Sequence, residues 1–172
     1  KSKEIMGGYR YLIGPDITIK DGIMQTPTGE LFKGSDAFYK TIVPRMLELG
    51  RSFVIPDYQA SGSTRKGIFV LENLWIGLGA VAMKHSDIDY FFGKFTMYTT
   101  YNTLARDFLL NFLYKYFPQD NETPCTPFEQ IKFLTPQNTL DEPFLWNDYK
   151  SDYKTLNALV KSLHEVIPPL VN

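Results

Sequence analysis

A glycine- and serine-rich segment is the clearest candidate for chemistry in this sequence. It consists of Ser61, Gly62, Ser63, Thr64, Arg65, Lys66 and Gly67, between a predicted strand and a predicted helix. The free backbone N–H groups and the positive dipole end of a helix N-terminus favour an anion, and Arg65 and Lys66 add positive charge. The segment therefore predicts a phosphate-binding loop. The same composition is more often typical of a plain connector, and no Walker-type GxxxxGKS or GxxxxGKT pattern is present.

The sequence does not indicate metal or thiol chemistry. His85 and His164 lack partners at metal-ligand spacing, and the one cysteine, Cys125, cannot form an internal disulfide. We therefore expect no metal site, no cysteine nucleophile and no bound cofactor. A single cysteine favours a reducing, cytoplasmic location.

Length and charge exclude several classes of function. The 172 residues predict one domain over 1–172, with 118–172 as a loop-rich extension that ends in a packing helix. Eighteen basic and nineteen acidic side chains give a net charge of −1, which excludes a general nucleic-acid binder. The longest uncharged apolar stretch, 73–83, is too short for a membrane span, so we expect no transmembrane segment.

Hydrophobic periodicity predicts strands that alternate with helices, which is typical of an α/β architecture. Period-two alternation predicts strands at 4–13, 47–55 and 89–98. Helical spacing predicts helices at 67–84, 101–116 and 152–167, and a short helix at 36–47 broken by Pro44. Turn-forming residues dominate 14–34 and 118–143, and 17–19 and 30–33 are candidates to pair as short strands.

Four motifs occur in the order found in one enzyme family. Residues 48–54 (ELGRSFV), continued by IPDYQ at 55–59, resemble the ELGRSxVxPxYR-type signature of the hemolysin-like acyltransferases. Residues 8–12 (GYRYL), 74–78 (LWIGL) and 90–93 (YFFG) are similar to that family's GTYRLL-like strand, LWRGI-like helix and YLFG-like strand. The ELGRS stretch is also similar to the ELSRF-type strand of acyl-homoserine lactone synthases.

The resemblance implies a GNAT-like fold, in which a mixed central sheet is flanked by helices. It implies transfer of a 3-hydroxy fatty acyl group from an acyl-carrier-protein thioester to the amino group of a small amino acid in membrane aminolipid synthesis. Glycine is the favoured acceptor and ornithine the alternative. The co-substrate would be acyl carrier protein, through its phosphopantetheine thioester, or acyl-CoA. A second, O-acylating acyltransferase and peripheral contact with the inner membrane surface are also implied.

The same family carries a further segment before its GTYRLL-like strand. This chain starts almost at that strand. We therefore expect either that the amino-terminal part of the domain is missing from it or that the domain is completed differently.

The reaction implied by the resemblance assigns roles to particular residues. A carboxylate must take the proton of the attacking ammonium group, and we expect Glu48 to do so. Arg10 or Arg51 would bind the acceptor carboxylate through a bidentate fork. The expected donor-binding residues are Phe53, Val54, Ile55, Ser61, Gly62, Ser63, Thr64, Arg65, Lys66 and Gly67, with backbone N–H groups of 53–55 directed at the oxyanion. The expected walls of the acyl pocket are Trp75, Phe92, Phe95 and Tyr98, although such rings more often form a core.

The spacing of Glu48 and Arg51 sets a geometric condition on this site. Residues three apart point to opposite faces of a regular strand. A bulge near Gly50 would bring both side chains to one face, and bulges are common beside active sites.

Two other classes of function remain open at this point. One is a GNAT N-acetyltransferase that uses acetyl-CoA or acyl-CoA to modify a small amine. The other is a non-catalytic domain that binds a carrier or another partner. A homoserine lactone synthase would be a close variant with a different acceptor.

Overall fold

The computed structural model describes residues 4–58, 65–119, 121–122 and 125–168, without the side chains of 65–68 and 71. The chain forms two compact units, Lys1–Lys94 with Glu122–Phe128, and Phe95–Asn121 with Glu129–Asn172. A single domain over 1–172 stays a prediction.

The described residues contain seven strands and four α-helices, so the predicted mixture of strands and helices is confirmed. The strands are β1 (Gly7–Ile13), β2 (Ile19–Lys20), β3 (Ile23–Met24), β4 (Phe32–Gly34), β5 (Met46–Val54), β6 (Tyr90–Gly93) and β7 (Cys125–Pro127). The helices are α1 (Arg65–Lys84), α2 (Thr103–Tyr116), α3 (Gln137–Asp141) and α4 (Tyr149–Ser162). Shorter helical turns occupy Gly14–Asp16, Phe38–Ile42, Val43–Arg45 and Pro56–Tyr58.

The centre of the first unit is a mixed three-stranded sheet with the order β1-β5-β6. Strand β5 lies in the middle, antiparallel to β1 and parallel to β6. One face of the sheet packs on a cluster of Met24, Phe38, Val43 and Met46, with Phe92 against it. The sheet therefore places β5, which carries the ELGRSFV motif, between β1 and β6. These two strands partly cover its edges.

Helix α1 packs on the sheet through small residues of both elements. At Gly7 on β1, a Cβ would lie 3.1 Å from the Val70 side chain and 3.5 Å from that of Leu74. At Gly77 on α1, a Cβ would lie 2.7 Å from the Tyr9 hydroxyl oxygen. The absence of side chains at these glycines allows the helix to approach the strand closely.

A glycine on the exposed side of α1 gives a prediction about stability. A Cβ at Gly79 would contact nothing within 4 Å, so Gly79→Ala gains helix propensity without a clash. We expect about 1 kcal/mol of stabilisation and a melting temperature about 2–4 °C higher, measured by thermal unfolding. The matched control is Gly77→Ala, whose Cβ displaces the Tyr9 hydroxyl and so offsets part of the same gain, and a smaller rise in melting temperature is expected. Equal shifts in the two variants would contradict this account of the packing.

The pairing predicted for the segment 14–34 is wrong. Strand β2 pairs with its neighbour β3 through a two-residue turn at Asp21 and Gly22, whose φ values are 53° and 72°. Positive φ at both positions is the geometry of a type I′ hairpin turn, for which Asp-Gly is a strong signal. Strand β4 instead pairs with β7. Strand β7 lies within 118–143, which is predicted as a loop.

The strand predicted at 89–98 is shorter in the structure. Strand β6 ends at Gly93, where its pairing with β5 also ends at Leu49. Lys94 leaves the sheet, and its ammonium group donates to the Pro27 carbonyl oxygen at 3.2 Å. Period-two alternation predicts extended backbone, but a strand continues only as far as a partner strand does.

The predicted broken helix at 36–47 is a π-helical turn at Phe38–Ile42 followed by a 3₁₀ turn at Val43–Arg45. Pro44 lies in the 3₁₀ turn, where its missing N–H costs little.

The last helix is displaced relative to the predicted 152–167. Asp148 caps its N-terminus by accepting from the Lys150 N–H, and His164 ends it with a φ of 61°. The Glu165 N–H donates to the Val160 carbonyl, and the His164 N–H to that of Lys161, which is a Schellman motif. Because the residue at the left-handed position is His rather than Gly, the usual sequence signal for the helix end is absent.

The second unit is built around α2 and α4. Their buried side chains form one cluster with Leu140 of α3, Phe144 between α3 and α4, and Ile167 after α4. The members from α2 and α4 are Ala105, Phe108, Leu109, Phe112, Leu156 and Val160. The predicted helix at 101–116 is confirmed within two residues.

Candidate active site

Glu48 lies at the centre of the sheet and is 2% exposed. Its neighbours across the strands are Leu12 on β1 and Phe92 on β6, so all three side chains lie on one face. The Thr28 hydroxyl donates to Glu48 Oε1 at 2.9 Å. Glu48 Oε2 is also buried and has no hydrogen-bond partner among the residues that the structure describes.

A buried carboxylate oxygen without a partner is unusual in a folded protein. Burying a polar atom without a hydrogen bond costs free energy, so buried side-chain oxygens nearly always have donors. An exception needs an explanation, and a catalytic role is one of those known. Glu48 Oε2 is therefore a candidate acceptor for an N–H group of a substrate.

The predicted bulge is present in β5. Gly50 pairs with Arg10 and Phe53 pairs with Gly8, so two residues of β5, Arg51 and Ser52, lie opposite the single residue between Gly8 and Arg10. Arg51 has a φ of 52°, in the left-handed region that non-glycine residues rarely adopt. The register shift and the unusual φ together locate the bulge at Arg51, one residue beyond the predicted glycine.

The bulge changes the face to which the second half of β5 belongs. In a regular strand, Phe53 would point away from the face of Glu48, because the two are five residues apart. The extra residue reverses this, and the Phe53 ring lies over Gly8, where a Cβ would be 3.1 Å from its Cε1. Phe53 therefore shares a face with Glu48.

Arg10 lies on the same face. It is two residues from Leu12, the partner of Glu48, and its guanidinium covers Gly50, where a Cβ would lie 3.2 Å from a terminal nitrogen. Arg10 is half-buried and Arg51 is exposed. No ion pair joins either arginine to a carboxylate in the described parts of the chain.

The predicted donor-binding residues are described only in part. Phe53 is exposed, Val54 and Ile55 are half-buried, and the Ile55 N–H donates to the Met6 carbonyl oxygen at 3.0 Å. This N–H is therefore engaged with the chain before β1. Ser61, Gly62, Ser63 and Thr64 lie outside the described residues, as do the side chains of Arg65 and Lys66. The order of strand, connection and helix is confirmed, since α1 begins at Arg65, and the phosphate site stays a prediction.

The four residues predicted to line an acyl pocket are not brought together by one element. Trp75 is exposed on α1, and Phe92 packs on Phe38 with ring centroids 5.5 Å apart. Phe95 is half-buried and Tyr98 is exposed, and both belong to the second compact unit. Phe92 is thus part of the core of the first unit, in agreement with the alternative that these rings form a core.

A groove that the sequence analysis did not identify lies between the start of β1 and the first half of α1. Its volume is about 610 Å³, within the usual range for ligand pockets. It borders the predicted donor-binding strand, because Gly7 pairs with Val54. The lining residues are Glu4, Ile5, Met6, Gly7, Tyr58, Phe69, Val70, Asn73 and Leu74. Of its helical residues, Leu74 alone belongs to the apolar stripe that predicts α1, so the sequence held no signal for the groove.

Thr28 also has no sequence signal, since it lies in the turn-rich segment outside the four motifs. For Cys125, burial raises the pKa of the thiol to about 11, so it is protonated at neutral pH. No helix in the described ranges combines the length and apolar character needed to cross a membrane.

The chain is similar along its whole length to two curated proteins. It is 44% identical over 173 residues to a glycine N(alpha)-acyltransferase of Bacteroides thetaiotaomicron, and 42% identical over 173 residues to one of Phocaeicola vulgatus. These alignments cover 100% of this chain and 51% and 53% of the relatives. The chain thus spans about half the length of the curated relatives it matches. No protein-family model and no solved structure matches it.

The similarity supports the expectation of an acyltransferase that the motifs raised. In both relatives, the names specify glycine. The sheet face that carries Glu48, Arg10 and Phe53 is the part of this chain whose chemistry suits such a reaction.

Proposed function

We propose that this chain contributes the catalytic site of an N-acyltransferase that moves an acyl group from a thioester to the amino group of glycine. The observation that carries the proposal is the buried Glu48 Oε2, which has no hydrogen-bond partner among the described residues and lies on a sheet face that also presents Arg10. The two glycine N(alpha)-acyltransferases that share its sequence support the choice of acceptor.

The carboxylate supplies what the reaction needs at the acceptor nitrogen. Glycine carries an ammonium group at neutral pH and becomes a nucleophile only after it loses a proton, which Glu48 Oε2 accepts. The amine then forms the N–C bond to the thioester carbonyl, and the C–S bond breaks. The nitrogen loses two protons in total, of which one goes to solvent through Glu48 and one to the leaving thiolate.

Glycine also needs a partner for its carboxylate. Arginine matches a carboxylate in a bidentate geometry that lysine lacks. Arg10 is the better placed of the two candidates, because it shares a face with Glu48. Arg51 is exposed at the bulge, opposite Tyr9 rather than Arg10, and is the second candidate.

The donor in this proposal is a 3-hydroxy fatty acyl chain on acyl carrier protein, as the family resemblance implies. The phosphopantetheine phosphate would bind at residues 61–67, where α1 begins after β5. A GNAT-type arrangement of this strand and helix, with a product that enters membrane aminolipid synthesis, belongs to the same proposal. A second acyltransferase acting on the product and contact with the inner membrane surface also follow from it.

We further propose that the groove beside α1 receives the acyl tail in place of the four rings predicted from sequence. Ile5, Met6 and Phe69 present apolar surface there and are exposed in the structure. Covering such surface with an alkyl chain is favourable by about 0.8 kcal/mol for each buried CH₂. Gly7 faces this groove and Gly8 faces the Phe53 ring, so the groove and Glu48 lie on opposite faces of the sheet. In this proposal the donor passes the end of β5 at Phe53 and Val54, with its thioester on the face of Glu48 and its tail in the groove.

Filling the groove is expected to change donor preference. Met6→Trp places a larger side chain in it, and we expect KM for a long-chain donor to rise about tenfold, with kcat and the use of acetyl donors unchanged. Steady-state kinetics with donors of two chain lengths measure this. Met83→Trp, at an exposed methionine of α1 away from the groove, is the matched control. A similar change in both variants would place the acyl tail elsewhere.

The proposed reaction is tested by direct detection of product. The protein is incubated with a long-chain 3-hydroxyacyl carrier protein or the matching acyl-CoA, and with glycine, ornithine or other amino acids. Mass spectrometry of the organic extract is expected to find N-acylglycine from the carrier-protein donor. A product formed only from CoA, or only with ornithine, would correct the donor or the acceptor. No product from any combination would overturn the proposed function.

A further inference from the structure

The Glu48 carboxylate is bound by a residue from a distant part of the chain. Thr28 is 2% exposed and lies 20 positions before Glu48, in the segment between β3 and β4. Its hydroxyl is the one side-chain donor to Glu48 among the residues described. A hydroxyl has a single hydrogen, so this bond occupies Oε1 and leaves Oε2 without a donor.

The backbone around Thr28 is fixed by several hydrogen bonds. The Thr28 carbonyl accepts from the N–H groups of Leu31 and Phe32, each at 3.0 Å. The Gly29 N–H donates to the Thr26 hydroxyl at 3.1 Å. At Gly29, a Cβ would lie 2.0 Å from the Met24 carbonyl oxygen, so the turn lies directly against β3. Thr28 is thus presented to Glu48 by a turn with little freedom to move.

We propose that Thr28 is a positioning residue. It acts through Glu48 and does not itself contact substrate. By binding Oε1, it fixes the rotation of the carboxylate so that Oε2 is the oxygen that accepts the ammonium proton of glycine. The inference rests on the proposed function, since it assigns Glu48 as the base. It explains why one oxygen of the buried carboxylate is paired and the other is not.

The purely structural alternative is that the hydroxyl only satisfies a buried carboxylate. Both readings predict lower stability when the hydroxyl is removed, because a buried acceptor then loses its partner. They differ in the turnover of the folded enzyme. A positioning role lowers kcat and leaves KM for the acyl donor unchanged, whereas a structural role changes the folded fraction alone.

The test compares two threonines of the same turn. Thr28→Val removes the hydroxyl at nearly constant shape, and we expect kcat to fall about 10- to 100-fold, the loss typical of a hydrogen bond to a charged group. Thr28→Ser restores the donor and is expected to keep kcat within about threefold. Thr26→Val removes a buried hydroxyl that supports the same turn without binding Glu48, so a smaller fall in kcat is expected. Thr41→Val, at an exposed threonine of the same unit, is the neutral control and is expected to leave kcat unchanged. Circular dichroism gives the folded fraction, by which each kcat is divided.

The outcomes separate the proposal from the function on which it rests. Equal losses in Thr28→Val and Thr26→Val, or an unchanged kcat in Thr28→Val, would overturn the positioning role while the wild-type product stands. If Thr28→Val does not fold, Thr28→Ala is compared with Thr28→Ser in the same way. Adding Thr28→Val to Glu48→Gln is expected to lower the residual kcat no further, because the role passes through Glu48. Absence of wild-type product would overturn the function itself.

Discussion

Glu48→Gln is expected to lower turnover about 100- to 10,000-fold, the contribution typical of a general base. The amide keeps the shape of the side chain and still accepts the hydrogen bond from Thr28, but it cannot take a proton. Stability is expected to change little, because the substitution removes a buried charge without leaving a cavity. The measurement is kcat with glycine and an acyl-carrier-protein donor, together with thermal unfolding.

The control for this variant is Glu30→Gln, which makes the same chemical change at an exposed position of the same unit. It is expected to retain the turnover of the wild-type protein. If Glu48→Gln also retains turnover within about threefold, Glu48 is a structural residue and the base lies elsewhere.

Arg51→Gly is expected to stabilise the fold and to weaken catalysis in the same variant. The left-handed conformation of Arg51 costs about 1–2 kcal/mol for a residue with a Cβ, and glycine adopts it without strain. After the greater entropy of glycine in the unfolded chain is subtracted, we expect about 1 kcal/mol of stabilisation, or about 2–4 °C in melting temperature. Strained backbone of this kind is concentrated at functional sites.

The expected loss of catalysis comes from the guanidinium. Arg51 is the second candidate to bind the glycine carboxylate, and removing a charged hydrogen-bond donor of this kind costs about 1.5–3 kcal/mol, or about 10- to 100-fold in kcat/KM. Arg51→Lys keeps the charge but loses the bidentate geometry, so its kcat/KM is expected to lie between those of the wild-type protein and Arg51→Gly. Asp21→Gly is the control, because Asp21 has nearly the same φ in the β2–β3 turn, away from the sheet face. It is expected to leave kcat/KM unchanged.

Two results would contradict this account of Arg51. A lower melting temperature for Arg51→Gly would show that contacts of the side chain outweigh its backbone strain. An unchanged kcat/KM for glycine would remove Arg51 from the acceptor site and leave Arg10 as the remaining candidate.

Local signals were sufficient to predict the strand, connection and helix at the centre of the candidate site. The apolar stripe of α1 and the extended pattern of β5 depend on residues close in sequence, so the helix is predicted to within two residues of its start and the strand to within one at each end. The hairpin at Asp21 and Gly22 was equally local, but its turn type was not used in the prediction.

The helix ends and the strand ends were less predictable. The end of α4 depends on a left-handed His164, and the end of β6 depends on where β5 stops offering a partner. A sequence window around His164 lacks the glycine that usually marks a helix end. A window around β6 contains only one of the two strands whose pairing sets its end. The same reason explains why β4 was not matched with β7, which follows it by about ninety residues.

The sequence by itself determined which residues are candidates for the site, since Glu48, Arg51 and Arg10 were predicted from residue type and motif, and the need for a bulge followed from spacing alone. Only the tertiary structure decided that the bulge lies at Arg51, that Phe53 joins the face of Glu48, and that Thr28 binds the carboxylate. It also revealed the groove beside α1. These features depend on backbone angles and on contacts between residues far apart in the chain, whereas periodicity reports only on neighbours.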